Sequence, residues 1–226
     1  MTFLRNTFFY LVFYLWTTIF FVIFSPVKFF TRKFAVYLSK KWTDSVMILC
    51  KIILKIDYSV IGNENIPKNE SFVVASNHQS AWETFFFVCL FDNPVFILKK
   101  ELNSIPIFSW YFKKLDFILI DRNNSFQAVK HIIESIREQK PSKRAFIIFP
   151  EGTRIPPNDK GVINPGVFAV HKLLKIPIVV LKHDSGKYWK NKEYLKSQGT
   201  IKVKIYPKLR NYNKKEFLKK LETYFY

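Results

Sequence analysis

The feature that most restricts this chain is a run near its N-terminus. Phe8 to Phe24 reads FFYLVFYLWTTIFFVIF, with neither a charge nor a proline, preceded by Arg5 and followed by Pro26. A run of this length sits at the lower limit, about 17 residues, for a helix that crosses the hydrocarbon core of a bilayer. A cleaved secretory signal is the rival reading, but no small-residue cleavage site follows and the run is full of bulky aromatics. Lys28, Arg32, Lys33, Lys40 and Lys41 come next, interleaved with Phe29, Phe30, Phe34, Val36, Tyr37 and Leu38. That mixture suits a second helix in the headgroup layer. Residues 1–56 are therefore expected to be membrane-anchoring helices, as a span or as a two-helix anchor in one leaflet. Basic residues after the run favour a cytoplasmic position for everything that follows.

Charge points the same way. The chain has 36 Lys+Arg against 17 Asp+Glu, a formal +19, and 18% aromatic residues. Excess cation selects a polyanionic partner, either nucleic acid or an anionic membrane surface. Aromatic and basic residues together favour membrane lipids. Enrichment in Lys, Asn, Ile, Phe and Tyr also follows from an A+T-rich genome, so charge alone decides nothing. No helix-turn-helix, zinc-finger or RNA-binding signature is present, and a nucleic-acid partner is not expected. Cys50 and Cys89 lie in apolar surroundings, with no disulfide framework. The four histidines are scattered without paired ligand spacing, so no metal is expected.

Beyond Ile56 the pattern becomes one of short apolar runs separated by helical stretches. Ser71–Ser76, Val95–Leu98, Phe117–Ile120, Arg144–Phe149 and Ile176–Leu181 read as buried strands. Ile201–Tyr206 alternates apolar residues with Lys, as a half-exposed edge strand does. Ala81–Phe91, Ser125–Gln139, Asn164–Leu174 and Asn213–Tyr224 read as helices. Alternation of this kind predicts an α/β domain over residues 57–226, with a mixed, largely parallel sheet flanked by helices.

Four of these strands end in groups that can do chemistry. SFVVAS runs into Asn77-His78-Gln79-Ser80-Ala81-Trp82-Glu83. Five residues separate His78 from Glu83, about 140° apart on a continuous helix, so they meet only if His78 lies in the loop and Glu83 in the first helical turn. Ser80-Ala-Trp-Glu83 has the form of a capping box, which places them so. The same residues also fit a purely structural role, Glu83 as a cap and His78 as a polar loop residue. Where the two meet, the carboxylate orients the imidazole and makes it a general base. Strand RAFIIF leads to Pro150-Glu151-Gly152-Thr153-Arg154, strand FILI to Asp121-Arg122, and strand VFIL to Lys99-Lys100. Each alone fits a turn, a surface ion pair or a solvated charge run. If the strands are parallel neighbours, all four clusters share the crevice at the carboxyl ends, where α/β sheets bind ligands. An imidazole–carboxylate pair facing several cations suits proton removal from a hydroxyl on a phosphate-bearing molecule.

Taken in order, NHQSAWE, KKEL, FILIDR, FPEGTR and IPIVVL resemble the ordered motifs of the glycerophospholipid acyltransferase superfamily, most closely its bacterial 1-acyl-sn-glycerol-3-phosphate acyltransferase branch. The resemblance covers roughly Phe72 to Leu209. It extends to His183-Asp-Ser-Gly-Lys-Tyr-Trp189 and to Gly199-Thr200. It implies the glycerolipid acyltransferase fold and transfer of a fatty acyl group from acyl-CoA or acyl carrier protein to the sn-2 hydroxyl of lysophosphatidic acid. No other cofactor is implied. His78 would be the base and Glu83 its partner, although the family's commoner residue there is Asp. Arg122, Glu151, Gly152, Thr153 and Arg154 would bind the acceptor and its phosphate, helped by Lys100. Asn164 stands where many relatives carry Lys, which leaves other acceptors open: glycerol-3-phosphate, another lysophospholipid or a lyso-ornithine lipid. A bacterial inner-membrane enzyme with its catalytic domain on the cytoplasmic side is the expected setting.

Overall fold

Strand formation follows the apolar runs. β2 (Phe72–Ser76), β3 (Val95–Lys99), β4 (Ile118–Ile120), β5 (Ala145–Ile148) and β6 (Ile178–His183) are almost wholly buried. In the computed structural model, which describes residues 1–139, 141, 143–209 and 212–226, they join β1 (Ile56–Ile61) and β7 (Gly199–Ile205) in one sheet of order β1-β7-β6-β2-β5-β3-β4. Every neighbouring pair is parallel except β6–β7. The sheet is mixed and largely parallel, as the sequence predicts.

Two departures concern the same edge. β7 does alternate, with Ile201, Val203 and Ile205 buried and Lys202 and Lys204 exposed. It is not an edge strand, because β1 pairs outside it in parallel. β1 escapes a reading from pattern because it is itself the edge. Of its residues only Ile56 is buried, so no alternation marks it. A further short helix, α4 (Phe108–Lys114), also lies outside the sequence reading.

Alternate residues of the central strands feed two apolar layers. Val73, Ala75, Phe146, Ile148, Ile178 and Val180 pack against α5 (Ser125–Gln139), α6 (Gly166–Leu174) and α7 (Lys214–Phe225). Phe72, Val74, Ala145, Ile147, Val179 and Leu181 face the other way. There they share one core with α3 (Trp82–Leu90) and with the N-terminal helices α1 (Thr2–Ile23) and α2 (Arg32–Leu49). The N-terminal helices thus form part of the layer that covers the sheet.

How α1 lies is decided by its contacts. Near its start, the fully buried Asn6 exchanges hydrogen bonds with the main chain of Lys196 at 2.8 and 3.2 Å. Phe9 sits edge-on to Trp189, with centroids 5.7 Å apart. Near its end, Phe21 packs on Phe108 at 4.5 Å and edge-on to Tyr111 at 5.0 Å. A helix of this length is about 33 Å long, and both of its ends are fastened to the same α/β unit. The opposite face exposes Leu4, Phe8, Leu11, Leu15 and Val22 at helical spacing. This is the one candidate spanning helix among the described residues, with a mean hydropathy of 1.7.

α2 is anchored at its own N-terminus by a charged cluster. Asp116 accepts hydrogen bonds from Arg32 at 2.6 Å and from Arg144 at 3.0 Å. Arg144 is buried at the entry to β5 and also donates to Gln139 and to the Leu115 carbonyl. Burial draws the Arg144 pKa down to about 10, a shift that Asp116 opposes. Asp116 has a φ of 55°, a left-handed conformation that Asn also tolerates. Asp116→Asn should therefore keep the turn and lose only the charge that two arginines share. We expect it to lower unfolding free energy by about 1–3 kcal/mol, measured by denaturant titration in detergent. An unchanged midpoint would mean the cluster contributes nothing to anchoring α2.

Candidate active site

β2, β5, β3 and β4 are parallel neighbours in that order. Their carboxyl ends therefore lie side by side. The loops that leave β2, β5 and β4 carry His78, the Glu151–Arg154 turn and Arg122, and β3 itself ends on Lys99.

Glu83 is the buried centre of the site. It sits in the first turn of α3 and is fully buried. Its Oε1 accepts from His78 Nδ1, from the Gln79 N–H and from the Ser80 N–H, each at 2.8 Å. Its Oε2 accepts from Ser185 Oγ at 2.9 Å and from Ser80 Oγ. Burial pulls this carboxyl upward. The His183 and His78 rings, with the hydrogen bonds from His78 and Ser80, outweigh it and hold the group well below the usual carboxylate range.

The capping box expected at Ser80-Ala-Trp-Glu83 is only half formed. Glu83 does accept the Ser80 N–H, but Ser80 Oγ turns onto the carboxylate instead of capping the Glu83 N–H. Ala81 occupies the N-cap position. The serine serves both acid and helix, because its hydroxyl donates to Glu83 and accepts the Trp82 N–H at 3.1 Å.

His78 is fixed from four sides. Nδ1 is held by Glu83, the main-chain N–H is accepted by Glu151 at 2.6 Å, and the carbonyl accepts the Ile155 N–H at 2.8 Å. Phe149 stacks on the ring, with centroids 4.0 Å apart and planes at 22°. With its proton on Nδ1, the imidazole presents Nε2 as an acceptor. His78 lines a cleft of about 680 Å³ together with Arg122, Gly152, Thr153 and Arg154.

The remaining sequence-predicted residues divide. Arg154 Nε donates to the Ser80 carbonyl at 3.2 Å, and Arg122 donates to the Gly152 carbonyl. Both arginines keep further N–H groups for the cleft. Gly152 has a φ of 68°, which a side chain resists. Lys100 is tied to Asp121 at a half-exposed position, and of these two neighbours it is Lys99 that lines the cleft. Glu151 is buried, with one oxygen on the His78 N–H and the other accepting from the Tyr226 hydroxyl at 2.5 Å. Burial pushes its pKa up, partly offset by those two donors. Asn164 donates to the Pro150 carbonyl through both its main chain and its side chain.

Several residues at the site carried no role in the sequence reading. Ser185 reaches Glu83 from the turn after β6. His183 is buried and donates through Nε2 to the Asn77 carbonyl at 2.9 Å, which ties β6 to the His78 loop. Burial lowers its pKa, against the opposing pull of Glu83. The only signal for either residue was the His183–Trp189 stretch. Tyr226 lies 75 positions from Glu151, and nothing in the pattern marks it.

The cleft also has an apolar arm. Phe21, Trp42, Phe85, Val88, Tyr111 and Phe117 line it between α1, α2, α3 and α4.

Glu83→Gln tests the central carboxylate. A group held below its ordinary pKa adds stability that is present above the unfolded value, about 4.3, and lost as pH falls. We expect the native protein to exceed the variant by about 2–4 kcal/mol at neutral pH. That gap should narrow below about pH 4. Denaturant unfolding at a series of pH values measures it, and a gap constant down to pH 3 would mean that the ionised form is not what the donors stabilise.

Comparison with known proteins adds three observations. A family profile described as acyltransferase matches residues 57–182. A 1-acyl-sn-glycerol-3-phosphate acyltransferase of Pseudomonas aeruginosa is 34% identical over 208 residues, covering 90% of this chain and 80% of its own. A protein of the same description from Borreliella burgdorferi is 26% identical, covering 73% and 71%. The fold is shared with the crystal structure of the 1-acyl-sn-glycerophosphate (LPA) acyltransferase PlsC from Thermotoga maritima. That match has a TM-score of 0.81 at 24% identity and covers 99% of this chain and 94% of the other.

Proposed function

This chain belongs to the acyltransferase family, and from that premise we propose that it transfers a fatty acyl group from a thioester to the sn-2 hydroxyl of 1-acyl-sn-glycerol-3-phosphate. The product is phosphatidic acid, the donor acyl-CoA or acyl-acyl carrier protein. The observation that carries the reading is the His78–Glu83 contact, 2.8 Å long, at the wall of a cleft that also holds Arg122 and Arg154.

In the proposed reaction, His78 Nε2 takes the proton of the acceptor hydroxyl as its oxygen bonds to the thioester carbonyl carbon. Glu83 stabilises the imidazolium that forms. The tetrahedral intermediate collapses, the C–S bond breaks, and the departing thiolate takes the proton from Nε2. The base is then restored. A positioned base of this kind contributes on the order of 10²–10⁴ in rate. Arg122 and Arg154 hold the acceptor's phosphate by charge-assisted hydrogen bonds and so position the hydroxyl. Glu151 is a positioning residue in this scheme, acting through the His78 main chain. The apolar arm between α1, α2, α3 and α4 takes an acyl chain.

The membrane placement is part of the same proposal. Since α1 is fastened at both ends to the α/β unit, it lies in one leaflet with its exposed apolar stripe in the acyl region and the basic residues of α2 at the headgroups. The cleft then opens at lipid depth, and the catalytic unit stays on the cytoplasmic side.

His78→Ala should abolish transfer, with at least a 10²-fold loss of kcat, while the circular dichroism spectrum and vesicle binding stay unchanged. Arg154→Ala should raise the acceptor KM by about tenfold. Normal turnover by the His78 variant ends the proposal. A change confined to the thioester KM in the Arg154 variant removes the phosphate assignment.

A further inference from the structure

Between Trp189 and β7 the chain folds into a small closed arm. Lys196 is buried, and its ammonium donates to the carbonyl of Lys190 at 2.7 Å and to that of Glu193. The same ammonium lies 5.4 Å from the centroid of the Trp189 ring. The lysine thus closes residues 190–196 into a ring held from inside by one cation. Such a contact freezes a segment that would otherwise be a free surface loop.

One side of the ring faces the cleft. Asn191 and Lys192 line it together with His78, Arg122 and Arg154, and Asn191 Oδ1 accepts from Arg154 Nη1 at 3.3 Å. Lys192 has a φ of 61°, a left-handed conformation that costs a non-glycine residue about 1–2 kcal/mol. Strain of this kind persists where surrounding contacts over-determine it. No ion pair engages the Lys192 ammonium among the described residues, in contrast to Lys100, which Asp121 holds. The other side of the ring faces α1. Asn6 brackets the Lys196 main chain, Arg5 donates to Gln198 at 2.8 Å, and Tyr10 donates to the Tyr194 carbonyl at 3.1 Å.

We propose that Lys192 is a third cation of the phosphate site, presented by this ring, with Lys196 as its positioning residue and α1 as the support behind it. The inference rests on the reading above, in which Arg122 and Arg154 hold the acceptor's phosphate. It ties acceptor binding to the helix that meets the membrane, because the ring touches both. The ligand chemistry is a phosphate monoester. Both the lipid acceptor and coenzyme A carry one, and the inference commits to the acceptor.

Steady-state kinetics with acceptor and thioester varied separately test it. Lys192 is exposed, so its replacement does not threaten the fold. Lys192→Gln should raise the acceptor KM about five- to tenfold, leaving kcat and the thioester KM within about twofold, and Lys192→Arg should restore it. Lys196→Met should raise the same KM. The double variant should be no worse than the larger single change, because Lys196 acts through Lys192. If Lys192→Gln leaves the acceptor KM unchanged while Arg154→Ala raises it, the inference fails and the reading beneath it stands. A shift in the thioester KM alone also overturns it, by giving the ammonium to the donor's phosphate. If neither variant moves the acceptor KM, the phosphate reading falls and takes the inference with it.

Discussion

Five donor groups converge on one buried carboxylate, and the rest of the site is arranged around that convergence. Glu83 has no access to water, so its charge persists only because His78 Nδ1, two main-chain N–H groups and two serine hydroxyls supply the solvation it has lost. Two constraints supply these donors, four from residues 78–80 and one from Ser185. The N–H groups require the loop after β2 to turn tightly into α3, and the Ser185 hydroxyl requires the end of β6 to lie alongside. His183 and Asn77 secure that second approach by exchanging main-chain and side-chain hydrogen bonds. Loss of any one element would leave a buried anion short of partners, a costly state.

The parallel sheet turns that local arrangement into a binding site. β2, β5, β3 and β4 all point their carboxyl ends the same way, so the imidazole from one strand meets the arginines that follow two others. At the entry to β5, Asp116 accepts from both Arg144 and Arg32 and so fixes the start of α2. The anchoring cluster and the chemical cluster thus use opposite ends of the same strands. α1 and α2 then cover the face from which the apolar arm of the cleft runs, so a lipid-facing surface and a polar reaction centre share one wall.

Much of this was legible in the sequence for identifiable reasons. Strands buried on both faces read as unbroken apolar runs, and that signal marks β2, β3, β5 and β6 and also β4, an edge strand that stays buried. Polar residues just beyond such runs marked His78, Arg122 and Arg154, which the fold brings to one cleft. β1 was missed because an edge strand exposed to solvent loses its pattern. The same omission made β7 look like an edge. The spacing points to Ser80 as the cap of the Glu83 N–H, but local spacing cannot show that its hydroxyl donates to the buried acid and accepts the Trp82 N–H instead. Ser185 and Tyr226 depend on contacts across 102 and 75 positions, which no window along the chain detects. Lys99 and Lys100 are neighbours of equal charge, and only the placement of Asp121 separates the paired lysine from the one that lines the cleft.

The account turns on which nitrogen of His78 carries the proton. A carboxylate against Nδ1 fixes that proton there and leaves Nε2 bare toward the cleft. Nitrogen NMR of the protein labelled at histidine, with His78 assigned by substitution, reads the tautomer directly. The neutral ring should show a protonated Nδ1 and an unprotonated Nε2, and Glu83→Gln should mix the two tautomers. A neutral ring protonated at Nε2 in the native protein would contradict the account, because a nitrogen already bearing its proton cannot remove one from a hydroxyl.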